Sequence, residues 1–340
     1  MKALTAEKID AYTANIAQLN GVRDVSRKFA VVPAVAQTME QRIQQSTTFL
    51  QSINVYGVDN QSGEKIGMDA ATSIASRTDT ANGGTRNPVD ISAMDGNQYF
   101  CRKTDFDVAF RYAQLDQWAH HPEFETILRD IILKRIALDR ITIGWNGTSA
   151  AANTNRAAHP LLQDVNIGWL QKYREKAAAQ VMTEVVAASG KVRVVSGLAA
   201  ADGYDNLDAL AYDAKNNLVD ITYREDPELV VILGSSLLAD KYFPIINKPQ
   251  RPEDLLLMDM LVSQKRVGGM PAVSVPYFPA NTMMITKLKN LSIYFQNGSH
   301  RRNIVDRSEK DRIENFQSVN EDYVVEDFRC GAVVENIALI

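Results

Sequence analysis

Cysteine is scarce in this sequence. Cys101 and Cys330 stand alone among 340 residues, too few and too far apart for the disulfide framework of a small secreted protein. In a reducing compartment both are expected to be buried, small apolar side chains. Long apolar runs are missing too: no stretch approaches the roughly 18 residues that a membrane span needs, so no membrane contact is expected. The first residues, MKALTAEKIDAYTANIAQLNG, lack the apolar centre of a signal peptide and carry Glu7 and Asp10. Secretion is therefore not expected, and the sequons at Asn146 and Asn297 have no role. Nor is there an excess of one charge. Lys plus Arg number 37 and Asp plus Glu 41, a formal charge of −4, which creates no strong field toward nucleic acid or an anionic surface. With 45% hydrophobic and 23% charged residues, the chain is an ordinary globular one, long enough for two domains or one elaborated domain.

Signals for catalysis are also absent. Of the four histidines, His120 and His121 are adjacent and point apart, His159 precedes Pro160, and His300 sits beside two arginines. None has a second ligand at metal spacing. Gly234-Ser235-Ser236 follows an apolar run and opens a helical pattern, but it lacks the glycines of a nucleophile elbow; a serine helix cap explains it. SGEKIG has no GK[ST] ending, Gly268-Gly269 is not part of G-x-G-x-x-G, and the carboxylates are scattered. No catalytic residue, cofactor site or metal site is nominated.

What the chain does have is a polar excursion of about forty residues, Val58 to Asn97. Its large apolar residues (Ile66, Met68, Ile74, Ile91, Met94) are isolated among Ser, Thr, Gly, Asn, Asp and Ala, so it builds no core of its own. Loops beyond about 12–15 residues are uncommon in compact domains and usually functional or disordered. Strand-like runs flank it, FLQSINVYGV before and QYFCRKTDFDVAFRYAQL after. The pattern suggests an arm that lies on something else, in the first place a copy of the same chain. Arg77, Asp79 and Arg86 are its candidate inter-subunit contacts, because charges on a coreless arm need external partners.

Around the arm the chain is patterned. Residues 1–20 carry Ile9, Tyr12, Ile16 and Leu19 at helical steps, ended by Asn20-Gly21. They are either a surface helix packed on its own domain or a detachable segment on the basic hinge RDVSRKF. A second helix is expected from Val35 to Leu50. Phe106, Val108, Phe110 and Tyr112 alternate with polar or small residues, as in a half-buried strand. A long helix, about 33 Å by its length, is expected from Pro122, with Phe124, Ile127, Leu128, Ile131, Ile132, Leu138 and Ile141 on its apolar face. Arg129, Lys134, Arg135 and Arg140 along it read as a solvated face shared with Glu125, Asp130 and Asp139. WLQKYREKAAAQVMTEVV reads as a helix, while 148–160 and the region before Asn206 are loop-rich. From Asn206 helices and strands alternate: NLDALAYDAKNNLV helical, ELVVILG a strand, SSLLADKYFPIINK a helix broken near Pro244, PEDLLLMDMLV a helix, then VGGMPAVSVPYFP, TMMITKL and LSIYFQNG as strands and turns. Residues 301–312 read as a charged connector, and YVVEDFRCGAVVENIALI as strands.

Several long blocks carry a resemblance: EKIG (64–67), SIAS-TDTA (73–81), LQDV-GWLQKYR (162–174), DPELVVILG-LLADKYFPI-NK (226–248), SQKR-G-PAV-VPYFPA (263–280), ITKLKNLSIY (285–294), SHRR (299–302) and DYVVED (322–327). Together they cover nearly the whole chain. The sequence resembles the major capsid proteins of the P2-like group of contractile-tailed phages, whose shell-forming fold is called Hong Kong 97-like.

The resemblance implies an α+β capsid fold divided as follows. Residues 1–29 are a scaffold-like segment facing the particle interior, removed by a maturation protease, with Phe29–Ala30 as the candidate bond. Residues 30–52 are an N-terminal arm, and 53–105 contain the extended loop, which overlaps a neighbouring subunit. Residues 106–205 belong to a peripheral domain with its spine helix, 206–288 to an axial domain that meets the fivefold and sixfold axes, 289–326 to peripheral strands and 327–340 to a strand returning to the axial domain. The implied partners are copies of itself in hexamers and pentamers, an internal scaffold and maturation protease, a portal protein and packaged double-stranded DNA bound without sequence preference. Arg129, Lys134 and Arg135 are the candidate inner-face basic cluster. The implied location is the virion, after assembly in the bacterial host cytoplasm. The Lys–Asn crosslink of some Hong Kong 97-like shells is not implied: Lys65 lies in the loop, but nothing matches that constellation. The competing expectation is a cytosolic α/β enzyme with residues 58–97 as an active-site lid, which would close over a pocket of perturbed titratable groups.

Overall fold

The computed structural model describes residues 1–66, 75–83, 85–86, 94–195, 202–246 and 265–339. The helix PEDLLLMDMLV lies outside them. Eight α-helices are described: α1 (Ala3–Asn20), α2 (Pro33–Gln45), α3 (Thr48–Ser52), α4 (Tyr112–Trp118), α5 (Phe124–Asn146), α6 (Trp169–Lys176), α7 (Leu207–Leu218) and α8 (Ser235–Ile246). Their ends follow local chemistry. Gly21, at φ 63°, closes α1; Pro33 opens α2, where its missing N–H costs nothing; Asn206 caps α7 by accepting from Ala209 N at 2.8 Å.

The larger sheet comprises β1 (Phe29–Ala30), β2 (Asn54–Val58), β5 (Arg102–Asp105), β6 (Val108–Arg111), β13 (Leu291–Gln296), β14 (Arg301–Arg307) and β15 (Arg312–Val325). β15, fourteen residues long, is its hub. It pairs antiparallel with β13, β14, β5 and β6. β1 and β2 are the outermost strands along the sheet's main path. A separate ribbon joins β3 (Ser62–Ile66) to β4 (Met94–Phe100). The smaller sheet runs β10 (Arg266–Val267), β11 (Met270–Ser274), β9 (Val230–Leu233), β12 (Met283–Thr286), β16 (Ala332–Val334), β7 (Val181–Met182), and β8 (Val192–Val194) pairs with β17 (Ile337–Leu339).

Two apolar cores accompany the two sheets. The first packs α5 and α6 on the larger sheet around Trp145 and Trp169, whose rings meet edge-on at 4.9 Å. The second packs α7 and the start of α8 on the smaller sheet, through Leu207, Leu210, Leu237 and Leu238. Val192 and Val194 of β8 belong to this second core and Met182 packs on it, while Val181 packs on the first, so residues 182–195 pack with the smaller sheet.

Several sequence expectations change. The helix at Trp169 stops at Lys176, because Val181 and Met182 are taken as the edge strand beside Val333 and Val334. Residues 301–307 are not a connector but β14. Arginines occupy its more open positions while Ile304 is buried, and only the turn at Ser308–Lys310 connects. Of the alternating run at Phe106 only Val108–Arg111 is strand, as β6; Phe106 and Asp107 form the break after β5, and Tyr112 begins α4. The run from Val35 to Leu50 becomes two helices, α2 and α3. α8 continues through Pro244 to Ile246, since a proline can kink a helix without ending it. Ile131, expected on the buried face of α5, is 42% exposed.

Candidate assembly surfaces

The loop expected to be coreless is a two-stranded ribbon near its root. Backbone pairing supplies there what apolar residues do not, with a bulge between Glu64 and Lys65. Its root is fastened to the wall at two places. Phe100 N donates to Asp322 Oδ2 at 3.1 Å, and the same buried carboxylate accepts from Lys172 Nζ at 2.8 and 2.9 Å. Lys65 Nζ donates to the carbonyls of Val325 and Glu326, and stands 5.4 Å from the centroid of the Phe328 ring. The ammonium is thereby desolvated and satisfied, an arrangement that holds a loop in place. The buried Cys101 thiol beside this root is pushed up to about 12 by burial and by Asp322 and Glu321, so it stays protonated and unreactive. Farther out, Arg77 and Arg86 are exposed. Asp79 serves its own turn, accepting from Ala81 N at 3.0 Å and Asn82 Nδ2 at 2.5 Å.

Of the two readings for residues 1–20, the structure shows α1 packed on its own chain. Ile9, Tyr12 and Ile16 are buried. Asp116 of α4 accepts from Lys2 N and Thr5 Oγ1, and Glu125 of α5 accepts from Asn15 Nδ2. Residues 21–28 form a mostly exposed connector. Phe29 and Ala30 then pair with Arg302 and Arg301 as the edge strand β1. The candidate bond is thus extended, with one edge on the sheet.

The basic residues of α5 do not form one cluster. At about 100° per residue, Arg129 lies roughly 140° from Lys134 and 120° from Arg135 around the helix. Arg129 bonds Asp130 and Arg135 bonds Asp139, at 2.9 and 2.5 Å, while Lys134 is exposed. Exposed ion pairs of this kind contribute about 0–1 kcal/mol.

Arg140, expected on that solvated face, is instead 2% exposed. Its guanidinium forks onto Glu40 of α2 at 2.5 and 2.9 Å and reaches Glu321 of β15 at 2.9 Å. Tyr323 Oη donates to the far oxygen of Glu321 at 3.1 Å. His300 Nε2 lies 3.5 Å from Glu40, beside a cavity of about 30 Å3, large enough for a water. Burial works to raise the Glu40 carboxyl, but the charge and two hydrogen bonds of Arg140 bring it below the usual range. Burial, with Glu40 nearby, raises Glu321 despite its single bond to Arg140. Burial lowers His300. One cation facing two carboxylates therefore holds one firmly ionised and leaves the other easier to protonate. The cluster joins the helix after β1, the spine helix and the hub strand. The sequence offered one clue to it: Arg140 continues the four-residue spacing of the buried Ile132 and Ile136.

These parts form a wall of two sheets, a long helix across one of them, and a ribbon and an N-terminal segment fastened at their roots. A model of the P2 family of phage major capsid proteins matches residues 8–337. The chain belongs to this family. It is 48% identical over 344 residues to the capsid protein of Escherichia phage P2, covering 99% of this chain and 95% of that one. It is 40% identical over 346 residues to the major capsid protein of Serratia phage KSP20, covering 99% and 97%. Among solved structures it matches a satellite phage P4 procapsid that includes the size-determination (Sid) protein. The TM-score is 0.83 at 47% identity, covering 100% of this chain and 99% of that one. The capsid of an empty GTA particle matches at TM-score 0.50 and 16% identity over 86% of this chain and 90% of that one, a likeness of fold alone. This P2-family capsid protein is thus a structural component of the virion that assembles into an icosahedral shell, with the Hong Kong 97-like fold. The reading of an enzyme with a lid is set aside, because the family consists of shell proteins.

Proposed function

We propose that this protein acts by geometry, its loop and N-terminal segment performing separate steps of head assembly for a tailed phage with double-stranded DNA. The larger sheet with α5 serves as the peripheral domain and the smaller sheet as the axial domain, whose loops meet at the fivefold and sixfold axes. Residues 30–52 serve as the N-terminal arm. The loop overlaps a neighbour and presents Arg77 and Arg86 to it, with Asp79 shaping the turn between them. The observation that carries this reading is the ribbon's fastening at its root by Lys65 and Phe100, while the charged residues farther out are exposed. Deleting residues 70–90 should leave a folded subunit, judged by its far-UV spectrum and cooperative melting. Electron microscopy should then find no regular particles; normal shells from the deletion would reject the overlap.

The N-terminal segment starts assembly beside an internal scaffold and is then cut by the maturation protease between Phe29 and Ala30. An open strand edge at β1 supports this, since a cleavable bond has to be extended and reachable. Mature particles should yield chains beginning at Ala30 and unprocessed shells chains beginning at Met1, read by intact mass. Full-length chains throughout DNA-filled heads would overturn the cleavage. The remaining partners are a portal protein and packaged DNA, held without sequence preference. The paired arginines of α5 leave Lys134 as its main free contribution to phosphate contacts. Assembly takes place in the host cytoplasm.

A further inference from the structure

α1 is seated as a ligand would be. Under it lie Phe110, Leu115, Leu128, Ile132, Ile304 and Ile313, contributed by β6, α4, α5, β14 and β15. Ile9 and Tyr12 close over them, leaving a cavity of about 10 Å3, at the lower limit of what a water needs. The contact is close-packed there, with Asn315 also lining the gap, while farther along the helix Asn15, Ile16 and Leu19 border an open groove of about 930 Å3. Polar groups position the helix along its length. Asp116 and Glu125 accept from it as described, Arg302 donates to Tyr12 Oη at 2.9 Å, and Asn20 accepts from Val32 N at 3.2 Å. The connector adds one backbone bond, from Ile304 N to Val25 O at 2.8 Å. Among the described residues, no ion pair joins residues 1–27 to the rest; Arg27 pairs only with Asp24, inside the segment.

We propose that the surface of α4, α5 and the β14–β15 pair is a helix-binding site in its own right, whose occupant is residues 1–27 of this chain, and that the segment stays bound as a noncovalent peptide once the chain is cut after it. Its occurrence in the particle rests on the cleavage reading above; the site itself does not. No strand of the larger sheet lies within residues 1–27, so a cut beyond them removes a tether and no ladder hydrogen bond. Uncovering the floor would expose six large apolar side chains together, which soluble surfaces avoid. The released helix would also lose the packing that stabilises it, because an isolated helix of this length is marginal in water. The floor under Ile9 and Tyr12 is mainly apolar, so salt should weaken the contacts of Asp116 and Glu125 without releasing the peptide. What should release it is a movement of α5 against the sheet, which would open the floor.

The test uses the full-length chain with a site-specific protease sequence inserted between Arg27 and Lys28, where both side chains are exposed. After cutting, assembled shells and dissociated subunits are sedimented or gel-filtered in dilute buffer and in about 1 M salt, where charge interactions are screened within about 3 Å. Nearly all of the 1–27 peptide should travel with the protein in both buffers and in both assembly states. A synthetic, labelled 1–27 peptide should exchange into the site. The same peptide carrying Ile9→Asp should compete roughly a hundredfold less well, because it brings a carboxylate into an apolar contact. The substitution sits in the peptide, so the fold of the protein is untouched. Prompt loss of the peptide in dilute buffer, loss only at high salt, or equal competition by the Ile9→Asp peptide would each overturn the proposal. The engineered cut works whether or not a natural one exists, so failure here is distinct from failure of the cleavage reading.

Discussion

Replacing Arg140 by methionine should destabilise the unassembled subunit by about 3–5 kcal/mol, the range for stranding buried charge. Glu40 and Glu321 are 3% and 0% exposed, and the guanidinium is the cation that bonds both. Without it, two buried carboxylates share one site, and protons must be taken up for the fold to survive. In the native protein Glu40 sits below its ordinary value, so its contribution is present above the unfolded carboxyl range and is lost as pH falls through the folded value. In Arg140→Met that support is gone. Both carboxyls become raised acids, whose contribution is kept below the unfolded range and lost as pH rises. Urea unfolding at neutral and mildly acidic pH should therefore show a deficit for the variant that shrinks toward acid. A triple variant, Arg140→Met with Glu40→Met and Glu321→Leu, removes the whole cluster and should recover most of the loss. A single variant as stable as the parent at neutral pH would show that the cluster does not tie α2 to the wall.

Gly168→Ala should be nearly as damaging although it adds one methyl group. A Cβ there would stand 2.4 Å from the Gly144 carbonyl oxygen and 2.5 Å from that of Ile143. Both are backbone atoms of α5 and cannot turn aside. The added atom would push α6 off the spine, which overpacking data place at about 1–3 kcal/mol and occasionally more. Gly144 is closed from the other side, since its Cβ would fall 2.2 Å from the Trp169 ring. α6 also carries Lys172, whose bond to Asp322 helps root the ribbon. Gly168→Ala should therefore lower the melting temperature and also reduce the yield of closed shells beyond what the lost stability explains. An alanine at Gly190, which is equally small but has nothing within 4 Å, should cost only the strain of its positive φ and leave shell yield unchanged. Equal shell yields from the two variants would sink the link between α6 and the loop.

Much of the architecture was legible because it is local. The three- and four-residue spacing of Ile9, Tyr12 and Ile16 became α1, the wide stripe from Phe124 to Ile141 became α5, and the turn chemistry around Asn206 became the start of α7. The absence of core-forming residues between Val58 and Asn97 marked the loop, and the block resemblance reached the family that the comparisons then showed. The misreadings share a cause. Val181-Met182 and Arg301–Arg307 are strands because of the segments they pair with, Val333-Val334 far along the chain and Arg312–Ser318 just across the turn at Ser308–Lys310. Single-sequence periodicity carries no information about which segment a strand will pair with. The root of the loop was misjudged likewise, since its cohesion comes from backbone pairing across the excursion.

By itself, then, the sequence determined where the long helices α1 and α5 lie, where the chain leaves its core, and to which family of shells it belongs, because propensity, periodicity and block similarity are written residue by residue. The tertiary structure alone decided the fate of the charges. Arg140 and Arg135 look equivalent on a list of basic residues along one helix, yet one is in water beside Asp139 and the other is sealed between Glu40 and Glu321. Those partners stand 100 and 181 residues away. A charge tolerates burial only when its counter-charges arrive with it, and which residues arrive together is settled by how the sheet and the spine helix pack.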